Sequence, residues 1–371
     1  MLIYIYLLVY ILIVAVISKV LFKKPGKQKV FCLILSMLAI YLVLALKSPS
    51  VGRDIEGYKE MYESFKGASW SNYDLYWTEP GYEFLEMFFN NILKFDFQGF
   101  AACVYGFSIL SYSLFFYKYS EDVTLSIFVY ICFGIFTFDI SGIRNMLAIA
   151  IVLFAVQFAE KKSFWLNLCF FALVILAAQI HRGIYFCFLM YFFIHFSFEK
   201  VKKLLLPLFA VIAMAFRPFA NNILSLINTE KRAEEISIGG NIIVYAFVLV
   251  FPFVIWSVAK YEMGAMHKYK GQNVQDLKSE DFFAGMRMPL RVFYFGIITT
   301  VLAGTGTLVR IAQAALVFMT IVVPAPIEKL EFKSRLMIKI IVYGLLGLYF
   351  YIFKLRANDL DMCPYIFYWN Y

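Results

Sequence analysis

Two arginines and a histidine in the middle of the chain have the spacing needed to meet at one site. Arg144 opens one apolar run, His181 and Arg182 follow the next run, and residues 160–163 join the two. Helices connected by so short a turn must be antiparallel neighbours. At a rise of about 1.5 Å per residue, the roughly 16 residues before the turn and the roughly 18 after it end at nearly the same depth. The spacing therefore predicts that Arg144, His181 and Arg182 converge.

These side chains suit the binding of an anion and the transfer of a proton. A guanidinium group binds phosphate or carboxylate through paired hydrogen bonds. A histidine with an ordinary pKa of about 6.5 can act as a general base near neutral pH. We therefore predict His181 and Arg144 to be catalytic and Arg182 to bind substrate. The alternative for His181 is an interfacial side chain hydrogen-bonded to backbone.

A long segment at 47–97 carries a second group of candidate residues. It contains Arg53, Asp54, Tyr58 and Glu79 among many aromatic residues. Carboxylates beside aromatic rings are suited to holding a sugar, and long loops in compact proteins are usually functional. We predict that Asp54 is catalytic and that Arg53, Tyr58 and Glu79 contact substrate. The end of this loop, 83–95, is amphipathic and is expected to lie along the membrane interface.

The elements that position these residues must be membrane-spanning helices. Hydrophobic residues make up 62% of the chain and charged residues only 16%, against about 45–50% and about 25% in soluble domains. Apolar runs long enough to cross about 30 Å of hydrocarbon recur throughout, and in lipid they must be helical. We predict a single all-α domain over 1–371, a polytopic helix bundle with about twelve spans: 2–18, 30–46, 98–117, 123–138, 143–159, 164–180, 183–198, 204–220, 241–258, 288–303, 308–326 and 336–353.

The lysines predict the orientation of this bundle. Of the 24 lysines, 17 fall in alternate connections, including a polar loop at 259–281. By the positive-inside rule those connections are cytoplasmic, so both termini and the loop at 47–97 lie outside. The first run lacks a basic start and a small-residue cleavage site, so we interpret it as a retained span rather than a signal peptide.

The arginines show the opposite bias. Seven of the ten lie on or near the predicted outer face, where topology disfavours basic residues: Arg53, Arg144, Arg182, Arg217, Arg232, Arg310 and Arg356. This distribution favours an anionic ligand on the outer side, with Arg217 and Arg310 as further substrate-binding candidates. The alternative is that individual arginines extend to the interface at helix ends or pair with loop carboxylates.

Other classes of function have little support in the sequence. The net charge of +9 is explained by topology rather than by nucleic acid. Five of the six cysteines lie in apolar runs, which disfavours a disulfide framework or a zinc site. There is no Walker loop, dinucleotide fingerprint or zinc-protease motif. We expect neither a cofactor nor a metal, and we interpret Asp359-Leu360-Asp361 as a coincidental match to the Asp-x-Asp of nucleotide-sugar transferases.

At the candidate residues the chain resembles the EpsG-like, Wzy-type family of bacterial polysaccharide polymerases. The similarity lies in Gly52-Arg53-Asp54 with Tyr58, Glu79-Pro80-Gly81-Tyr82-Glu83, Ile143-Arg144-Asn145-Met146-Leu147-Ala148, Ala178-Gln179-Ile180-His181, and more weakly in Val309-Arg310-Ile311-Ala312-Gln313 followed by Val322-Val323-Pro324. The sequence departs from the family pattern at His181-Arg182-Gly183, where a small polar residue is common two places after the histidine. It departs again at Ala314 and Ala315, where an aromatic residue is common.

This resemblance implies a glycosyltransferase of GT-C-like architecture in the bacterial cytoplasmic membrane. Such an enzyme joins undecaprenyl-diphosphate-linked oligosaccharide repeat units into O-antigen, capsule or exopolysaccharide on the outer face. It would work beside a flippase and a chain-length regulator. Under this hypothesis Arg144 and Arg310 bind the diphosphate, His181 assists deprotonation of the acceptor, and the loop with Arg53, Asp54 and Glu79 holds glycan.

Three alternatives remain open at this stage. A flippase or transporter of the same lipid-linked sugars would also have about twelve spans, although transporters tend to place charge near the midplane and to contain internal repeats. An O-antigen ligase or a membrane acyltransferase would also place histidine and arginine at the surface, and a ligase more often carries its large loop late in the chain. A purely structural role would leave the arginine asymmetry unexplained.

Overall fold

The computed structural model describes residues 1–68, 79–161, 163–195, 242–269, 287–303 and 309–370. In these ranges the chain is helical, and the only strand-like pairing is an isolated antiparallel bridge between Lys47 and Phe367. The predicted all-α class is therefore confirmed for the described residues. The contacts divide the chain into two compact units, Met1–Tyr185 with Ile341–Tyr371, and Phe186–Ile340. The single membrane domain stays a prediction.

Nine α-helices lie wholly within the first unit among its described residues: α1 Leu2–Leu21, α2 Pro25–Ala45, α3 Ile55–Ser64, α4 Pro80–Met87, α5 Phe97–Tyr119, α6 Val123–Cys132, α7 Ile135–Ser141, α8 Ile143–Ala159 and α9 Phe164–Ala178. A π-helical turn, Phe88–Ile92, extends α4. The described helices of the second unit are Phe188–His195, which we call α10, then Ile242–Tyr269, Arg287–Ala303, Val309–Leu316, Met319–Val322 and Pro324–Glu328. The helix Phe332–Phe350 crosses the boundary between the units and continues as a π-helical segment, Tyr351–Arg356.

Several of these helices have the length and composition of membrane spans. Among the described residues four qualify, or five if the bent pair α6–α7 forms one span. The four are Leu2–Leu21, Pro25–Ala45, Phe97–Tyr119 and Phe332–Arg356. Helices α8 and α9 are apolar but shorter, and the predicted span 204–220 lies outside the described residues. The chain is thus a membrane protein with several apolar helices, and the total of twelve spans stays a prediction.

Helix α8 lies at the centre of the first unit and packs against α5 and α9. Most of its residues are buried, including Ala148, Ala150 and Ala155. Small side chains let helix backbones approach closely where lipid gives no hydrophobic driving force for association. This packing fixes the position of Arg144 within the unit, because Arg144 is the second residue of α8.

The predicted span 123–138 is bent, because the chain turns by 58° between α6 and α7. Gly134 breaks the helix with a φ of +89°, a conformation that favours glycine. A Cβ atom on Gly134 would lie 2.6 Å from Cε of Lys354. The Lys354 side chain occupies the space beside the break and forms an ion pair with Asp359.

Three other predicted boundaries also differ from the structure. The span 308–326 is broken into three short helices, the last of which starts at Pro324 because proline lacks the N–H needed to continue a helix. The predicted loop 259–281 begins as helix, since Ile242–Tyr269 extends eleven residues into it. The span 183–198 begins as a 3-10 helix, Arg182–Cys187.

The segment 83–95, which is predicted to lie along the membrane interface, has an acidic side and an apolar side that differ in exposure. Glu83 and Glu86 are fully buried within the protein, whereas Phe84, Ile92 and Leu93 are exposed. An interfacial helix on a protein surface would turn its charged face outward to water. Here the acidic side packs inward and the apolar side is exposed, and the Glu86 carboxyl group lies within reach of the charge of Arg144 on α8.

The beginning of the loop at 47–97 is fastened to the C-terminal tail. Backbone N–H groups of Gly52 and Arg53 donate to carbonyls of Asp361 and Leu360, at 3.1 and 3.0 Å. The Arg53 side chain pairs with the Asp361 carboxylate at 3.1 Å. The Asp-x-Asp sequence of the tail is therefore a structural partner of this loop.

Gly52 lies where no other residue fits easily. Its φ is +101°, and a Cβ atom would lie 2.6 Å from the carbonyl oxygen of Ile140. We expect Gly52→Ala to lower the free energy of unfolding by about 1–3 kcal/mol through backbone strain. Thermal unfolding of the purified protein measures this.

The matched control is Gly57→Ala in α3, where nothing lies within 4 Å of the added atom. Alanine is favoured over glycine inside a helix by about 0.5–1 kcal/mol, so this variant should be unchanged or slightly more stable. Equal effects of the two substitutions would contradict the assigned conformation of Gly52.

Candidate functional site

The site begins where the N-terminus of α4 meets the C-terminal end of α9. The backbone N–H groups of Gly81 and Tyr82 donate to the carbonyl oxygen of Gln179, at 2.9 and 3.3 Å. The first N–H groups of a helix have no partner within it, so the Gln179 carbonyl satisfies them. Gly81 is required for this approach, because a Cβ atom there would lie 2.7 Å from Cβ of Gln179. Glu79, the residue preceding the helix, is thereby held beside His181.

The carboxylate of Glu79 connects three segments of the first unit. Its Oε2 atom accepts a hydrogen bond from Nη1 of Arg144 at 2.7 Å, and its Oε1 atom accepts one from the backbone N–H of Arg182 at 3.0 Å. Nδ1 of His181 lies 4.0 Å from Oε1. The pair of Glu79 and Arg144 is largely buried, with side chains 12% and 20% exposed. The predicted convergence of Arg144, His181 and Arg182 is therefore present, and it is organised by Glu79.

Two tyrosines hold the guanidinium of Arg144. Nε donates to the Tyr58 hydroxyl at 3.4 Å, and Cζ lies 5.2 Å from the centre of the Tyr58 ring and 5.7 Å from that of Tyr82. Aromatic faces attract a cation and replace part of the water that it loses on burial. Arg144 is thus a positioned cation with one carboxylate partner, an arrangement that can exchange that partner for another anion.

The hydrogen bonding of His181 indicates which nitrogen can accept a proton. The backbone N–H of Gly183 donates to Nδ1 at 3.2 Å, so Nδ1 has a lone pair and the neutral ring carries its proton on Nε2. A base role for His181 therefore belongs to Nδ1, the nitrogen nearer to Glu79.

The other predicted loop residues are anchored differently. Arg53 is exposed and pairs with Asp361 of the tail, which supports the alternative that it pairs with a carboxylate. The backbone N–H of Asp54 donates to the Ser141 hydroxyl at 3.2 Å, and Asp54 lies one helical turn before Tyr58 on α3. Tyr58 thus joins the Glu79 cluster, and the roles proposed for Arg53 and Asp54 stay predictions.

The other three predicted arginines, Arg182, Arg217 and Arg310, place no described side chain in the Glu79 cluster. Arg182 contributes its backbone N–H, and its side chain is exposed. Arg217 lies outside the described residues. Arg310 belongs to the helix Val309–Leu316 in the second unit, but its side chain is outside the described part. Shared binding of a diphosphate by Arg144 and Arg310 therefore stays a prediction.

Sequence reasoning missed the buried acidic face of α4. Glu79, Glu83 and Glu86 are spaced by four and three residues, a spacing that places them on one side of a helix. Glu83 and Glu86 are fully buried. The spacing was visible in the sequence, but an amphipathic pattern does not reveal which side faces the protein. No group of three or more possible metal ligands from His, Cys, Asp and Glu occurs in the described part of the chain.

Comparison with known proteins gives one match. A family model described as the EpsG family matches residues 30–367, nearly the whole chain. No curated protein and no solved structure matches.

The burial of Glu79 and Arg144 gives a testable energetic consequence. We expect a double-mutant cycle with Glu79→Gln and Arg144→Gln to give a coupling free energy of about 0.5–3 kcal/mol, because the two groups are in direct, largely desolvated contact. Denaturant or thermal unfolding of the four purified proteins measures it.

The control cycle uses Arg53→Gln and Asp361→Gln, an ion pair whose side chains are 56% and 53% exposed. Exposed pairs contribute about 0–1 kcal/mol. If the buried pair coupled no more strongly than the exposed one, Glu79 would not be the group that holds Arg144.

Proposed function

This chain belongs to the EpsG family of polysaccharide polymerases, and on that premise we propose that it polymerises lipid-linked sugar repeat units into an exopolysaccharide or a related surface polysaccharide. The donor is a growing glycan on undecaprenyl diphosphate, and the acceptor is the sugar of a second lipid-linked repeat unit. We place the reaction at the outer face of the bacterial cytoplasmic membrane, in a bundle of GT-C-like architecture with both termini outside.

The observation that carries the proposal is the arrangement of Arg144, Glu79 and His181. A glycosyl diphosphate leaves as an anion, so its departure requires a positioned cation. Arg144 is such a cation, and its partner Glu79 is a carboxylate that an incoming diphosphate can replace. Release of Oε2 from Arg144 frees Glu79 to accept a proton. The same event thus binds the donor and prepares a base.

The glycosyl transfer requires only these groups and the two substrates. The acceptor hydroxyl oxygen bonds to the anomeric carbon of the donor, and the bond from that carbon to the diphosphate oxygen breaks. The electron pair leaves with the lipid diphosphate, which Arg144 stabilises. The hydroxyl proton goes to Glu79. Nδ1 of His181, 4.0 Å from Oε1, can receive it next when it releases the Gly183 N–H.

The exposed residues of the same segment support a lipid-borne substrate. Helix α4 and its π-helical extension carry Glu79 at one end and expose Phe84, Ile92 and Leu93 along the outer side. Apolar side chains exposed on a membrane protein are suited to contact with lipid. A substrate anchored in the bilayer can therefore approach this segment laterally.

The roles of the other candidates follow from this arrangement. Tyr58 orients Arg144, and Asp54 one helical turn away is assigned to the sugar together with Arg53 and the exposed side chain of Arg182. A flippase or an O-antigen ligase acting on the same lipid-linked sugars would use similar chemistry at the diphosphate. The three functions differ in the product that accumulates when the protein is inactive.

We expect Arg144→Gln to lower the rate of polymerisation by about 10²–10³, the usual effect of removing one donor from a developing anion. Cells should then display a single repeat unit instead of a polymer. The length of the surface glycan, measured by gel electrophoresis, reports this. Cells without any surface glycan would indicate a flippase, and polymer that is made but not attached would indicate a ligase.

The matched control is Arg335→Gln, which also removes an arginine from an ion pair with a glutamate, at 3.2 Å from Glu328. This variant should retain long polymer at equal membrane abundance. Full-length polymer from the Arg144 variant would remove Arg144 from the reaction.

A further inference from the structure

The buried face of α4 contains more carboxyl groups than the site needs. Glu79 already balances the charge of Arg144. Glu83 and Glu86 lie one and two turns further along the same face, and both have no exposed surface. Burial of an ionised carboxylate is costly unless it is paired, so a buried carboxyl group without a partner generally holds a proton.

Glu86 has no hydrogen-bond partner for either carboxyl oxygen among the described residues. The titratable groups whose charge reaches it are Arg144 on α8, Tyr62 on α3, and Tyr82 and Glu83 on its own helix. Tyr82 lies near Glu86 without reaching hydrogen-bond geometry.

Burial outweighs the attraction of Arg144 and raises the pKa of Glu86 to about 9. Its carboxyl group is therefore neutral at physiological pH. A neutral Glu86 and the ion pair of Arg144 with Glu79 together carry no net charge. Ionisation of Glu86 would add one negative charge in a place where water cannot screen it.

We propose that Glu86 is a positioning residue whose proton keeps Arg144 available to a diphosphate. This inference rests on the proposed function, because it concerns the ligand assigned to Arg144. When a diphosphate replaces Glu79, an ionised Glu86 would compete with it for the guanidinium and draw Arg144 towards the interior. The same charge would repel the incoming anion. A protonated Glu86 does neither.

The test measures binding of farnesyl diphosphate to the purified full-length protein in detergent between pH 7 and pH 10. For the unaltered protein we expect Kd to rise above pH 9 and to approach a tenfold increase per pH unit, because one proton must stay bound. Glu86→Gln keeps the shape of the side chain and cannot ionise. This variant should show the weaker pH dependence that comes from the probe alone.

A second variant and a control make the result decisive. Glu86→Met also removes the ionisable group, so it gives the same readout if the glutamine variant fails to fold. Glu63→Gln in α3 removes a carboxyl group whose side chain is 61% exposed, and it should keep the alkaline loss of affinity.

The outcomes separate this inference from the proposed function. If the Glu86 variants lose affinity at high pH as steeply as the unaltered protein, the role of Glu86 is wrong while the diphosphate site stands. If the unaltered protein does not bind farnesyl diphosphate, or if Arg144→Gln binds it equally well, the diphosphate site and the proposed function fail with it.

Discussion

The first unit depends on one carboxylate that must be satisfied away from water. Glu79 is held at the start of α4. Its two oxygens accept hydrogen bonds from the side chain of Arg144 on α8 and from the backbone of Arg182, which follows α9. Each of those segments is fixed by its own packing, so the carboxylate links segments that are distant in sequence. The aromatic rings around Arg144 reduce the free-energy cost of burying its ion pair with Glu79.

The C-terminal tail performs a related task for the beginning of the loop at 47–97. Backbone N–H and C=O groups near an apolar bundle need hydrogen-bond partners. The tail supplies them by running antiparallel to the loop, from the bridge of Lys47 with Phe367 to the hydrogen bond of Arg53 with Leu360. Gly52 lets the chain press against the end of α7 between these contacts. The C-terminal tail and Gly52 thus hold the start of α3, and with it Tyr58.

Much of this arrangement could be predicted from the sequence, and the failures have physical causes. Hydropathy placed the long helices, and the short turn after α8 placed Arg144 near His181, because helix rise is nearly constant. The break at Gly134 was missed, since a glycine within an apolar run is compatible with a straight helix. The inward direction of Glu86 was missed because an amphipathic pattern shows that a helix has two different sides, and it does not show which side faces the protein.

Arg144 is the second residue of α8, a helix of 17 residues. The first turn of a helix carries a partial positive charge from its aligned peptide dipoles and disfavours a cation by about 0.3–1 kcal/mol. In this position the guanidinium is therefore in local conflict with its own helix, and Glu79 and the two tyrosines supply the compensating attraction. Such frustration is a cost to stability that a purely structural arginine would avoid at another position of the helix. The same position adds the charge of the guanidinium to the positive potential of the helix N-terminus at one place in the protein.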